Sequence, residues 1–294
     1  MRNILVLVLL ATFVSAAQNA PPSTDVFLAD ITNQAGQIKL GKPENITNRE
    51  GYDNQPMFLP DGNSLFYTSI RNGAPTDIYR YDIRTKTDSQ VTKTPEGEYS
   101  ATVMPGGRMF SVIRAEADST QRLWKFPIDG GIPSLVLEKI KPVGYHAWFD
   151  DKTVVLFVLG TPATLQLVNV PTEEAVTLAS NVGRSLHRVP GQSRMSFVHK
   201  VSPVEWVVKA LDVKTREITP LVKTLPAVED YVWTPDATIL MAKGSTLYRW
   251  SPTQGDQWRE VANFEAAGIQ EITRLAINGK GDRLAFVASL KPQR

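Results

Sequence analysis

Short apolar runs recur along the chain, and each is preceded by a turn. The runs are Leu65-Phe66-Tyr67, Phe110-Ser111-Val112-Ile113, Val154 to Val158, Met195-Ser196-Phe197-Val198, Ile239-Leu240-Met241 and Leu284-Ala285-Phe286-Val287. The turns are Pro60-Asp61-Gly62, Pro105-Gly106-Gly107, Asp150-Asp151-Lys152, Pro190-Gly191-Gln192, Pro235-Asp236-Ala237 and Asn278 to Asp282. Proline presets φ, and glycine supplies the positive φ of a tight reversal, so each run reads as the second strand of a hairpin. The runs are apolar at successive positions instead of alternate ones. Strands of that kind are covered on both faces.

With Leu65, Phe110, Val155, Met195, Leu240 and Leu284 as anchors, the spacings are 45, 45, 40, 45 and 44 residues. A third strand is predicted between hairpins, at Asp77 to Ile83, Arg122 to Ile128, Thr164 to Val170, Glu205 to Val213 and Thr246 to Trp250. A short fourth follows at Gln90 to Thr92, Leu135 to Leu137, Ala175 to Leu178, Glu217 to Leu221 and Arg259 to Ala262. Four strands in about 45 residues is the size of a propeller blade. Tyr79/Tyr81, Trp124/Phe126 and Tyr248/Trp250 sit at alternate positions, so each pair offers one face of its strand as an aromatic ledge for the next sheet.

The two ends complete the count. The last hairpin, Ile272 to Ser289, has no third or fourth strand after it, whereas Asp25 to Ile31 and Pro43 to Thr47 read as third and fourth strands with no hairpin before them. If they share one sheet, the chain is an all-β, six-bladed β-propeller of four-stranded blades, closed by its N- and C-terminal strands. An open array of five and a half repeats would leave two unpaired sheet edges, which invite aggregation.

Composition adds a cellular address. Met1-Arg2-Asn3, the apolar run Ile4 to Val14 and the small residues Ser15-Ala16-Ala17 have the order of a secretory signal peptide. The run is too short to span a bilayer. The expected division is therefore a signal peptide over residues 1–17, cut near Ala16 or Ala17, and a single propeller domain over 18–294 in the periplasm or outside the cell. The chain has no cysteine, which excludes disulfides and thiolate chemistry. With 32 basic and 30 acidic residues and no long basic run, no nucleic-acid footprint is expected.

The stretch Asn54-Gln55-Pro56-Met57-Phe58-Leu59-Pro60-Asp61-Gly62-Asn63-Ser64-Leu65-Phe66-Tyr67-Thr68-Ser69-Ile70-Arg71-Asn72-Gly73, followed by Asp77-Ile78-Tyr79-Arg80-Tyr81-Asp82, resembles the PD40 repeat, the WD40-like unit of TolB-like proteins. The likeness is weaker around Pro235-Asp236 and Gly281 to Phe286 and degenerate elsewhere. It implies a cell-envelope propeller that binds proteins, peptides or saccharides through a central funnel. The signal peptide runs almost directly into a propeller strand, leaving no counterpart to the N-terminal α/β domain of TolB proteins, so a Tol-system role does not follow.

No Gly-x-Ser-x-Gly elbow, His-Glu-x-x-His, phosphate loop, dinucleotide fingerprint or calcium loop occurs, and no metal motif is found. Candidate channel residues come from the starts of the first strands. They are Asn54, Gln55, Tyr99, Tyr145, His146, Arg184, His187, Glu229, Asp230, Tyr231 and Arg274, a mixture able to hydrogen-bond and stack against a peptide or sugar. His146 and His187 are also candidates for proton shuttling or metal ligation, or else polar residues facing a wet channel. Glu229 and Asp230 could help hold a channel Ca2+, although neighbours in a strand point to opposite faces. Trp148, Trp233 and Trp258 lie near turns within reach of a ligand, with core packing the default for all six tryptophans. The expectation is a non-catalytic monomeric binding module for an envelope protein, peptide or glycan, with no cofactor. The alternatives are a propeller hydrolase or lyase acting on a saccharide or peptide, and a passive scaffold.

Overall fold

The computed structural model describes residues 21–34, 37–255 and 257–290, so the expected signal peptide lies outside the described residues. Among those residues the chain forms six antiparallel sheets. No helix there is long and apolar enough to cross a membrane.

Blade 1 runs Asp53–Phe58, Ser64–Ser69, Asp77–Asp82 and Thr87–Gln90. Blade 2 comprises Gly97–Val103, Met109–Ala115, Gln121–Pro127 and Ser134–Leu135. Blade 3 comprises Val143–Trp148, Thr153–Val158, Thr164–Asn169 and Glu174–Ser180. In blade 4 the strands are Val182–Arg188, Arg194–Lys200, Trp206–Asp212 and Ile218–Lys223. Blade 5 has Tyr231–Trp233, Ile239–Lys243, Thr246–Trp250 and Arg259–Asn263. Each anchor lies in a second strand whose two faces meet the two neighbouring blades, as Leu65 and Phe66 do, which explains its continuous apolar run: Leu65, Phe110, Leu240 and Leu284 are wholly buried, and Val155 and Met195 nearly so.

Blade 6 joins the termini. Ile269–Ile277 and Arg283–Leu290 form its hairpin, and Asp25–Gln34 pairs beside the latter from Asp25↔Ala288 to Asp30↔Arg283. The rings of Phe27 and Phe286 stack at 5.4 Å across that seam. The predicted fourth strand over 43–47 is divided in the structure. Gln37–Leu40 pairs with the outer half of Asp25–Gln34, and Glu44–Asn45 pairs with Phe27 and Leu28. The N-terminal strand extends three residues past the predicted Ile31, giving the chain room to turn back earlier. Pro43, unable to donate to a ladder, then separates the two pieces.

Six apolar clusters fill the six seams between neighbouring blades. Between blades 6 and 1, for example, Val26, Ala285 and Val287 meet Leu65, Tyr67, Tyr79 and Tyr81. Between blades 1 and 2, Phe66 lies 4.7 Å from Phe110, which stacks on Phe126 at 5.4 Å. The third-strand aromatics therefore face the preceding blade and not the next one, because Tyr79/Tyr81 and Phe126 sit on that side of their sheets. Trp250 likewise joins the blade 4–5 cluster. Each fully buried large side chain contributes about 1.5–3 kcal/mol through removal from water, so every seam is a substantial core in its own right. Beyond the closing blade, Arg49 pins the link into blade 1: its Nη2 reaches Asp53 Oδ1 and Ser69 Oγ, each at 2.7 Å, and the Ile70 carbonyl at 2.9 Å.

Candidate functional site

The repeat places one residue in each first strand, or directly before it in blade 5, ten positions before its anchor: Gln55, Ser100, Tyr145, Ser185, Asp230 and Arg274. All six line a central cavity of about 410 Å³ walled by the first strands of all six blades. In blades 1, 2, 3, 4 and 6 the ladder between first and second strands shifts register at this position or directly beside it. An extra residue in one strand re-aims side chains, and here the irregularity turns one per blade to the channel. Gln55 and Ser100 accordingly adopt φ of 55°, in the left-handed region that non-glycine residues rarely occupy.

Contacts tie this ring together. Gln55 Oε1 accepts from the Ser100 amide at 2.8 Å and from Thr68 Oγ1 at 2.9 Å. Arg184 directs Nε and Nη2 at the two oxygens of Asp230, at 3.2 and 2.6 Å. Arg274 Nη1 reaches the same carboxylate at 2.7 Å, while its Nη2 donates at 3.0 Å to the Tyr145 hydroxyl. Arg274 belongs to blade 6 and Tyr145 to blade 3, so that bond spans opposite sides of the ring. Glu229 Oε2 accepts from the Arg184 amide at 3.3 Å and lies 2.9 Å from Lys200 Nζ. Three cations thus face two carboxylates. Tyr52 lies close enough to Arg274, Tyr145, Tyr99 and Arg184 to feel them, and burial pushes its phenol up to about 12.

Both channel histidines are held neutral. Burial takes His146 down to about 3 and His187 down to about 4, because a charged imidazole is costly away from water. His146 Nε2 lies 2.6 Å from Ser111 Oγ, and His187 Nε2 lies 3.0 Å from Ser185 Oγ. The His187 ring also packs edge-on against Tyr231 at 4.7 Å. His199 is half-buried near the end of its strand, in a tilted contact with Phe197 at 6.2 Å.

Of the residues singled out in the sequence, Gln55, Tyr145, His146, Arg184, His187, Asp230, Tyr231 and Arg274 line the cavity. Asn54 does not; it is buried and its Nδ2 approaches Thr24 Oγ1 at 3.4 Å. Tyr99 packs against the blade 2–3 core. Glu229 sits behind Arg184. The expectation that Glu229 and Asp230 point apart is overturned: both precede the strand Tyr231–Trp233, where no alternation applies, and both turn to Arg184. With those carboxylates engaged by cations, no group of three His, Asp or Glu side chains among the described residues is placed to hold a metal ion.

Trp148 and Trp233 border the cavity but are buried, donating to Ser111 Oγ and Ser196 Oγ respectively, each at 2.8 Å. Trp258 donates to the Lys223 carbonyl at 2.8 Å. Ser100, Ser185 and Tyr52 were not anticipated; the ten-residue offset finds the two serines, whereas Tyr52 precedes its strand and carries no repeat signal.

No protein-family profile matches the chain, and no curated protein sequence does. Solved structures that share its architecture include a TolB structure from Agrobacterium tumefaciens, 14% identical with a TM-score of 0.71, covering 92% of this chain and 100% of that one. An oligogalacturonate lyase in complex with manganese is 16% identical with a TM-score of 0.57, over 87% of this chain and 83% of that one. A chain of a nidogen/laminin complex is 11% identical with a TM-score of 0.62, over 90% and 98%. Such identities speak to fold. The chain is a six-bladed β-propeller of the TolB-like architecture.

Proposed function

We propose that the protein is an exported, periplasmic, non-catalytic binding module that takes part of a protein, peptide or glycan into the mouth of its channel. One observation carries this reading. The cavity is ringed by one residue from every blade, and its titratable side chains are already engaged in fixed pairs. Asp230 is shared by two arginines, and the two imidazoles are desolvated and hydrogen-bonded to serines. A general base works best with a pKa near the operating pH, and imidazoles at about 3 and 4 are far below it. Fixed polar groups on a rigid scaffold favour recognition.

The alternative of a saccharide lyase draws on the fold shared with the oligogalacturonate lyase. A divalent ion is commonly held by several His or carboxylate side chains, and among the described residues no group of three His, Asp or Glu side chains is placed to hold one.

The test is capture of a partner from periplasmic extract by the immobilised mature protein, compared with a Thr102→Trp variant that narrows the cavity from a half-buried wall position. Capture by the wild type and loss in the variant is expected. Equal capture by both would move the binding surface away from the channel.

A further inference from the structure

The channel mouth has more hydrogen-bond donors than acceptors. Arg184, Arg274 and Lys200 face only two carboxylates: Asp230 is shared by the two arginines, and Glu229 by Arg184 and Lys200. The Tyr145 hydroxyl accepts from Arg274, and its own proton has no acceptor among the described residues. Tyr52 stands behind the lining, close enough to both arginines to feel them. Three cations and the Tyr145 hydroxyl around two carboxylates leave room for one more anionic acceptor, and a planar carboxylate suits a guanidinium fork.

Below this donor cluster the wall changes character. Met57, Ala147, Leu186 and Leu275 line the cavity, and the nearby polar atoms are largely engaged: Gln55 Oε1 accepts from two donors, and each imidazole Nε2 is paired with a serine hydroxyl. Sugar hydroxyls descending there would find few partners, whereas an apolar side chain would lose water and meet carbon. The volume, about 410 Å³, falls at the small end of ligand pockets, which span roughly 300–1,000 Å³. At the same end of the propeller, the loop after the second strand of blade 4 exposes Val201 and Val204, an apolar rest for residues upstream of an inserted terminus.

Resting on the binding reading above, we propose that the channel recognises the C-terminus of a peptide: its carboxylate sits on Arg274, Arg184 and the Tyr145 hydroxyl, and its apolar last side chain enters the cavity. Asp230 stays in place between the arginines and keeps both guanidiniums oriented. The peptide carboxylate completes the neutralisation of three cations that Asp230 and Glu229 leave unfinished.

The test is calorimetric titration of the mature protein with N-acetylated tetrapeptides ending in Leu, Phe, Val or Met, each as the free acid and as the C-terminal amide. At least one free acid should bind, with its amide at least tenfold weaker. Arg274→Gln should weaken the acid about tenfold and leave the amide unchanged. Tyr145→Phe, which removes one hydroxyl and keeps the ring, should weaken the acid severalfold, and it covers the case in which Arg274→Gln does not fold. Equal binding of acid and amide, or unchanged acid affinity in both variants, overturns the proposal. So does the absence of any free-acid binding in a protein that still captures a channel-dependent partner from extract, an outcome that leaves the binding module standing. Loss of capture as well would remove both. Displacement of a bound tetrapeptide by a galacturonate oligomer that binds more tightly would replace the peptide with a saccharide and count against the proposal.

Discussion

Replacing Ser196 by alanine deletes one oxygen from the seam between blades 4 and 5. That oxygen accepts two buried donors, the Tyr231 hydroxyl and Trp233 Nε1, each at 2.8 Å. Ser196 and Tyr231 are each 1% exposed, so the orphaned phenol meets little water even though Tyr231 borders the cavity. A buried donor left without a partner costs about 1–3 kcal/mol. Trp233 borders the cavity and can recover part of its loss from water there, so the sum for Ser196→Ala is about 2–4 kcal/mol. The serine's own bond, to the His187 carbonyl at 3.4 Å, is long and adds little. Urea unfolding followed by circular dichroism measures the change as a shift of midpoint at constant slope. Adding Tyr231→Phe removes the orphaned hydroxyl itself, so the double variant should regain about 1–2 kcal/mol over Ser196→Ala. A loss below about 1 kcal/mol in the single variant, or a further loss in the double, would refute the assignment of Ser196 as the shared acceptor.

Glu98, wholly buried in blade 2, has Arg114 Nε at 3.5 Å from Oε1 and no partner for Oε2. Burial raises it from 4.5 to about 7, so between those values the folded chain keeps a proton that the unfolded chain has released. Its stabilising contribution is complete below about pH 4.5 and lost as pH rises through 7, an effect of about 3 kcal/mol at about 1.4 kcal/mol per unit. The protein should therefore unfold more readily at pH 8 than at pH 5, with Glu98→Gln flattening the difference; parallel curves for the two would sink this account. Deleting residues 25–47 removes the third and fourth strands of blade 6, exposes the edge of Arg283–Leu290 and opens the ring. The truncated protein should aggregate or melt far lower, and unchanged melting and solubility in thermal scans would show that closure does not depend on that pairing.

The architecture was legible because packing repeats. Each second strand is covered on both faces, so its anchor must be apolar in every blade, and Leu65 through Leu284 mark the period without ambiguity. The closing pairing followed from counting strands, and Asp25–Gln34 lies beside Arg283–Leu290 as counted. The division of the outermost strand around Pro43 was not legible, because edge strands face solvent and carry little pattern. The direction of the aromatic ledge was missed for a related reason: alternation says that Tyr79 and Tyr81 share a face, but not which neighbour that face meets. At the site, strand starts were the right place to look. Position alone, however, put Asn54 and Tyr99 in the same group as Gln55 and Tyr145, although a one-residue change turns a side chain from the channel to the core.

The channel ring also shows why repeat sequences hide their sites. A residue that packs between blades meets nearly the same surroundings six times, and the sequence repeats accordingly. The residue ten before each anchor faces the cavity, where no neighbouring blade demands a given shape. Gln55, Ser100, Tyr145, Ser185, Asp230 and Arg274 are six residues at one geometric position with five different side chains. Diversity at a repeat position that faces the channel in every blade is expected where side chains meet a ligand in place of one another. The bulges that aim these residues give the same inference from the backbone, since the ladder gains no stability by breaking there. Because inter-blade packing and the polar ties between blades fix the ring, a ligand entering the channel need not order it first, and the entropic cost of recognition falls mainly on the ligand.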